Sequence, residues 1–370
     1  MRALINASSF GDRPSGARSR FESLYPRLFR AMPEATFTLI VSADYSLPEE
    51  MRALGNLRIL RLPFRSANRL LRRAFFALLP LAAPVVRRFD LIEDLSQPPS
   101  LLRARRRLLT VHDIRRLEIS TGVASRVAYR LSLWLSERLG YDVVTVSQGM
   151  ARQLAGYYPV DRIYVIENSM PALFLDRSAG RDRAARRHDA EEPFVLAVGH
   201  FEARKNYLRL VEAFDGICKG RDGLRLVIVG KDNGAKSALE ADIAIRGIGD
   251  RVELLSDISD DALLTLYRSA EALVFPSFYE GFGIPLLEAM ATACPMAISD
   301  IAVFREIAGE AALYFDPHDA EAIRGAIERL LDTGRLGEDL AHQGKARIAH
   351  FLPDVLAGKL AALYSGEHPA

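Results

Sequence analysis

The segment FPSFYEGFGIPLLEAMA (Phe275–Ala291) holds two carboxylates, Glu280 and Glu288, around a glycine-rich turn. An apolar strand ends near Pro276, and Pro285 suits the first position of a helix starting near Ile284. The amides at Gly281, Phe282 and Gly283, with the free N–H groups of that first turn, form a site for the oxygens of a diphosphate. With Gly-Phe-Gly folding back, Glu280 and Glu288 can reach one small-molecule volume, where a carboxylate accepts well from paired hydroxyls. A tight turn with a solvated face is the plainer reading, but Phe282 and Ile284 put apolar weight on this loop. Upstream, GHFEARKN (Gly199–Asn206) follows an apolar strand and precedes a helix. Arg204 and Lys205 there can neutralise an anionic group such as a diphosphate. The plain alternative is a surface Arg-Lys pair at a helix start.

The first half is less pointed. His112 in VHDI (Val111–Ile114) stands at a strand end, where a lone histidine is readily structural, and Asp113 reads as a cap for the following turn. Ser147 and Asn168 fall at two further strand ends. The stretch Gly11–Arg20 reads as a loop carrying Gly16, Arg18 and Arg20, before a helical pattern in RFESLYPRLFRAM. The arginines suit an anionic acceptor or a donor phosphate. The histidines at 188, 318, 342, 350 and 368 lie in polar or tail segments, with no metal-ligand spacing.

These residues need strands to present them. Short apolar runs such as FTLIVSA, DLIEDL, RLLTVHD and DVVTVSQ alternate with helical patterns, and the rhythm restarts at PFVLAVG (Pro193–Gly199). That alternation predicts α/β architecture: two Rossmann-like doubly wound domains facing across a cleft, with ligands between them. The expected domains are one unit over 1–175, a connector over 176–192, a second unit over 193–345, and a helical tail over 346–370 that crosses back. Neither half has a G-x-G-x-x-G turn after its first strand, which argues against a dinucleotide enzyme.

Composition is that of a folded, soluble chain of two domains, at 370 residues with 26% charged. Cys218 and Cys294 are too few for a disulfide framework and read as buried free thiols of a reducing compartment. No signal peptide is evident, so a cytoplasmic location is expected. Residues 1–170 carry 26 Arg and no Lys against 15 acidic residues, a net +11, and the remaining 200 residues carry −9. Arginine preference in a GC-rich genome explains this as readily as an anionic acceptor or membrane does. Basic residues are not interleaved with exposed aromatics, so nucleic acid is not expected. The apolar, arginine-flanked segment 70–88 suits peripheral attachment to the inner leaflet, or an ordinary core helix pair.

The Phe275–Ala291 segment resembles the retaining nucleotide-sugar glycosyltransferases called group 1 or GT4, of the GT-B fold. Their stretch P-S-x-x-E-G-F-G-x-P-x-x-E-A-M is met by Pro276, Ser277, Glu280, Gly281, Phe282, Gly283, Pro285, Glu288, Ala289 and Met290. The resemblance covers most of 193–330. It implies that Glu280 contacts the donor sugar, Glu288 the nucleotide ribose, and Arg204 and Lys205 the diphosphate. Phe282 and Ile284 belong to that donor loop, and His112 occupies the place of a histidine that approaches the donor sugar. Gly16 takes the place of a donor-binding loop glycine, although the usual adjacent glycine pair is Pro-Ser-Gly here. His200 stands where many members have arginine. Acceptor contacts fall to Arg18, Arg20 and Ser147. The implied partners are a nucleotide-sugar and a glycan or lipid-linked glycan. No cofactor or metal is implied, since no Asp-x-Asp motif is present. The donor domain looks most like bacterial mannosyltransferases of lipopolysaccharide synthesis using GDP-mannose. A UDP-sugar donor is the alternative, and an inactive sugar-nucleotide-binding scaffold the non-enzyme one.

Overall fold

The computed structural model describes residues 1–12, 15–78, 89–118, 122–177 and 192–367. It divides the chain into two compact units, Met1–Ser169 with Leu352–Ala370, and Met170–Phe351. The sequence reading puts the corresponding crossings at 175 and 345. Its connector over 176–192 lies, apart from its ends, outside the described residues, as does the apolar segment beyond position 78.

The first unit begins with β1 (Arg2–Ala7), α1 (Gly16–Ala31), β2 (Thr36–Val41), α2 (Glu49–Arg52), β3 (Leu57–Arg61) and α3 (Arg69–Leu78). It continues with β4 (Leu91–Asp94), β5 (Arg106–Val111), α4 (Arg115–Glu118), α5 (Val123–Arg138), β6 (Asp142–Thr145), α6 (Gln148–Leu154) and β7 (Ile163–Val165). Among the described residues these strands form one parallel sheet in the order β3-β2-β1-β4-β5-β6-β7. The central runs are apolar almost throughout because helices cover both faces, as a parallel sheet requires.

The second unit repeats the plan: α7 (Ala172–Arg177), β8 (Phe194–Val198), α8 (Tyr207–Cys218), β9 (Arg225–Val229), α9 (Lys236–Arg246), β10 (Val252–Leu255) and α10 (Asp260–Ser269). Then come β11 (Ala272–Phe275), α11 (Ile284–Ala291), β12 (Met296–Ser299), α12 (Ala302–Ala308), β13 (Leu313–Phe315), α13 (Ala320–Asp332) and α14 (Gly334–Arg347). Its sheet runs β10-β9-β8-β11-β12-β13. The strand order reverses between β8 and β11, and the loops leaving a sheet at such a reversal diverge and open a crevice. The last helix, α15 (Pro353–Ser365), returns to the first unit, where Leu356, Leu360, Leu363 and Tyr364 enter the core beside α1.

The helix α1 starts at Gly16, capped by the Ser15 hydroxyl, four residues before the predicted loop ends. Pro26 lies inside it without ending it. Both cysteines are buried and free. Among the described residues no helix is long and apolar enough to cross a membrane.

Candidate active site

The loops after β8 and β11 leave neighbouring strands at the reversal point of the second sheet, so their side chains meet. Glu280 Oε1 lies 2.6 Å from Arg204 Nη1 and 2.7 Å from Lys205 Nζ, and it accepts from the Ser277 hydroxyl at 3.0 Å. Arg204 also reaches Glu202 at 2.5 Å and donates to the Tyr279 carbonyl at 2.9 Å. One guanidinium is thereby fixed between two carboxylates, and one carboxylate is shared by two cations. Lys205 is only 5% exposed and its ammonium lies 4.4 Å from the centre of the Phe275 ring. Burial by itself raises the Glu280 carboxyl, but Lys205 and Arg204 outweigh it and hold the group below its ordinary value.

Local backbone explains how the loop is held. Asn206, at φ 58°, ends the short turn carrying Arg204 and Lys205 and begins α8. Its amide donates to the carbonyls of Pro276 and Pro317 at 3.1 and 2.7 Å, and the Phe278 N–H returns to the Arg204 carbonyl at 2.9 Å. Gly199, at φ 148°, leaves room that a side chain would fill, since a Cβ there would stand 2.8 Å from Lys205 Nζ. Gly283, at φ 103°, is the N-cap of α11, with Pro285 in the first turn as expected. Phe282 turns inward against Phe351. Gly281 and Ile284 are half-buried beside it.

Glu288 stands one turn into α11 and accepts a 2.6 Å hydrogen bond from the Tyr267 hydroxyl. Burial raises its carboxyl to about 7, against the opposing effect of that bond and of Lys205. Glu202, Tyr267, Ser277 and Asn206 are the residues that the motif reading left without roles. Glu202 and Asn206 flank the Arg-Lys pair in EARKN, and a hydrogen-bonding residue beside a buried charge is the signal that could have found them.

In the first unit His112 follows β5 directly. Burial and the neighbouring Arg20 charge hold its imidazole down to about 3, so it is neutral at physiological pH. A backbone hydrogen bond at Leu95 engages the ring, and among the described residues Nε2 has no hydrogen-bond partner. Asp113 accepts from the Arg115 N–H at 3.2 Å, the turn cap expected of it.

The three residues expected to meet an acceptor are engaged within the first unit. Arg18 pairs with Glu22 at 2.8 Å and donates to the carbonyls of Gly11 and Asp12, pinning the loop in front of its own helix. Arg20 is 1% exposed, near Tyr25, Glu93, Glu167 and Tyr364, and donates to the Glu167 carbonyl. It is an interior charge of α1, where the sequence reading gave it to an anionic acceptor or a donor phosphate. Ser147 is buried and caps α6 by accepting from the Met150 N–H at 3.0 Å. Gly16 is the first residue of α1 and so belongs to a helix start, not to a loop.

Two doubly wound parallel-sheet units, one of them with clustered cations and carboxylates at its sheet reversal, are the architecture of the GT-B fold, which solved glycosyltransferases share. Residues 179–347 match the family model of glycosyl transferases group 1. The O-antigen chain mannosyltransferase RfbU of Salmonella typhimurium is 33% identical over 230 residues, covering 61% of each chain. The O-antigen chain mannosyltransferase B of Escherichia coli is 30% identical over 198 residues, covering 52% of each. The matched part therefore spans between about half and three fifths of these relatives' length. Anabaena HepE, solved in complex with UDP and glucose, superposes over 99% of both chains with a TM-score of 0.76 at 16% identity, a likeness of fold.

Proposed function

We infer that the chain is a retaining hexosyltransferase of the cytoplasm that moves mannose from GDP-mannose to a glycan or lipid-linked glycan. The observation that carries this reading is the shared carboxylate: Glu280 holds Arg204 and Lys205 together at the sheet reversal, with α11 starting beside them. In the proposed donor complex the diphosphate takes over the two cations and the amides at the start of α11. Glu280, released from part of its pairing, accepts from sugar hydroxyls, and Glu288 accepts from the ribose diol. As the anomeric C–O bond breaks, Arg204 and Lys205 stabilise the departing diphosphate, so no divalent ion is part of the proposal. The acceptor hydroxyl oxygen forms the new bond on the same face and its proton passes to the departing diphosphate oxygen. His112, neutral with a pKa near 3, is assigned one hydrogen bond to the donor sugar through Nε2, and no proton transfer.

The choice of mannose rests on the two O-antigen mannosyltransferases among the relatives. The structure of HepE with UDP and glucose favours a second reading, in which the same site takes a UDP-sugar. Calorimetric titration with GDP, GDP-mannose, UDP and UDP-glucose separates them, with Lys205→Ala and Glu288→Ala in parallel. Micromolar binding of GDP-mannose that both substitutions abolish is the expected result. A preference for UDP-glucose keeps the site and overturns the donor, and binding of no nucleotide leaves an inactive scaffold. Lys205→Ala is expected to lower kcat/KM by about 10²–10³.

A further inference from the structure

Five polar side chains around the carboxyl ends of the first sheet carry buried atoms that, among the described residues, have no hydrogen-bond partner. They are Ser9 Oγ after β1, both amide atoms of Gln97 after β4, His112 Nε2 after β5, Asn168 Oδ1 after β7, and Nε and Nη2 of Arg20 in α1. Arg20 and Asn168 are 1% and 6% exposed. The one other such group described in this unit is the Ser132 hydroxyl, on the buried face of α5. The strand order reverses between β1 and β4, so the loops carrying Ser9 and Gln97 diverge there, as the loops of the second sheet do at its own reversal. Several contacts bring the remaining groups to the same rim. The Leu95 N–H donates to the Asn6 carbonyl at 3.2 Å and joins the ends of β1 and β4, and the backbone at Leu95 also engages the His112 ring. Arg20 donates to the carbonyl of Glu167, next to Asn168, and its charge bears on His112. The Ser169 hydroxyl donates to that of Ser23 at 3.0 Å, tying the Asn168 turn to α1.

We propose that this rim, with Ser9, Gln97, His112 and Asn168, is a binding site for one neutral pyranose. Buried polar atoms without partners destabilise a free protein, and a ligand that pairs with them recovers that loss. The mixture of groups selects the ligand. A phosphate offers chiefly acceptors and would leave Gln97 Oε1, Asn168 Oδ1 and the lone pair of the neutral His112 ring without donors. A sugar hydroxyl both donates and accepts, so neighbouring hydroxyls of one ring satisfy the amide N–H, the carbonyl oxygens, the imidazole and the serine together. Charge agrees. Glu93, buried and accepting from the Tyr25, Thr110 and Tyr364 hydroxyls, already answers the charge of Arg20, so no anion is needed there. Resting on the sugar-transfer reading, this site gives the first unit its own hold on substrate. The ring is the hexose of the nucleotide-sugar or the terminal residue of the glycan, two sources with one hydroxyl chemistry.

Saturation-transfer NMR on the full chain with the methyl α-glycosides of mannose and glucose reads this site without a nucleotide. The wild type is expected to bind at least one of the two, and Gln97→Leu and Asn168→Leu are each expected to weaken that binding about fivefold or more. The same substitutions remove atoms that have no partner in the free protein, so the melting temperature is expected to stay level or rise, with GDP affinity unchanged. Binding of neither glycoside overturns the proposal, as does binding that survives both substitutions. A lower melting temperature in both variants with glycoside affinity kept makes the rim a holder of structural water and overturns it too. Displacement of the glycoside by inorganic phosphate makes it an anion site, with the same consequence. Competition by GDP-mannose but not by GDP places the hexose of the donor on the rim, and glycoside binding undiminished by GDP-mannose places the acceptor sugar there; either supports the site. A chain that binds a glycoside but no nucleotide keeps the rim and overturns the donor reading alone.

Discussion

At the scale of single residues, the chemistry of the candidate site is governed by which charges have partners. Glu280 is buried yet shares Lys205 and Arg204, so it stays ionised, while Glu288 has one neutral partner, Tyr267, and its carboxyl rises to about 7 from an ordinary 4.5. Between those two pH values the unfolded chain releases a proton that the folded chain keeps. Stability contributed by this group therefore falls as pH climbs from about 4.5 to 7 and is level above it. Glu288→Gln is expected to flatten that slope in chemical denaturation measured across the window. If the ionised carboxylate holds the ribose, the wild-type KM for donor falls as pH rises through 7, and the Gln variant shows no such step. A wild-type KM independent of pH from 6 to 8 (roughly one unit on each side of that value) removes Glu288 from the ribose. The motif alone identified both carboxylates, but their opposite titration follows from Tyr267, 21 residues from Glu288, and from Lys205 and Arg204, 75 and 76 residues from Glu280.

At the scale of elements, two helix starts carry the argument. Gly283 caps α11 at φ 103°, and a Cβ there would stand 3.0 Å from the Phe304 ring. Gly283→Ala is expected to cost about 1–3 kcal/mol, read as a lower melting temperature, and to weaken nucleotide binding by tilting the first-turn amides. Ser147 caps α6, so Ser147→Ala is expected to cost about 0.5–2 kcal/mol while leaving the acceptor KM unchanged. A raised acceptor KM without loss of stability assigns Ser147 to the substrate instead. The pattern of apolar runs and Pro285 placed α11 near Ile284, but it carried the strand before α6 through Gln148, where the helix has already begun. It placed the start of α1 too late, because the arginines at 18 and 20 read as loop polarity. In the structure one pins the preceding loop and the other points into the core.

At the scale of the molecule, each sheet is completed by elements that sequence order alone would not bring together. The returning helix α15 contributes Leu356, Leu360, Leu363 and Tyr364 to the first core, and the Tyr364 hydroxyl donates to the buried Glu93, which also accepts from Tyr25 and Thr110 at 2.9 and 2.7 Å. Burying four such side chains contributes about 1.5–3 kcal/mol each, a sum comparable with the roughly 5–15 kcal/mol of an ordinary domain. Deleting residues 352–370 is expected to unfold the first unit, seen as protease sensitivity confined to residues 1–169, while nucleotide binding by the second survives. Equal resistance of both units to protease contradicts this.

The sequence by itself determined the alternation of strands and helices, the parallel class of both sheets, and the glycine-framed carboxylate motif. Each of these is local: hydrophobic period, turn chemistry and spacing act within a few residues. Tertiary structure alone decided that Glu280 is shared by two cations, that Arg20 is interior, that Ser147 is a cap, and that the polar rim of the first sheet holds buried atoms without partners among the described residues. Those outcomes depend on which surfaces are covered by elements distant in the chain, and burial sets both the charge state of a carboxylate and the cost of an unpaired polar atom.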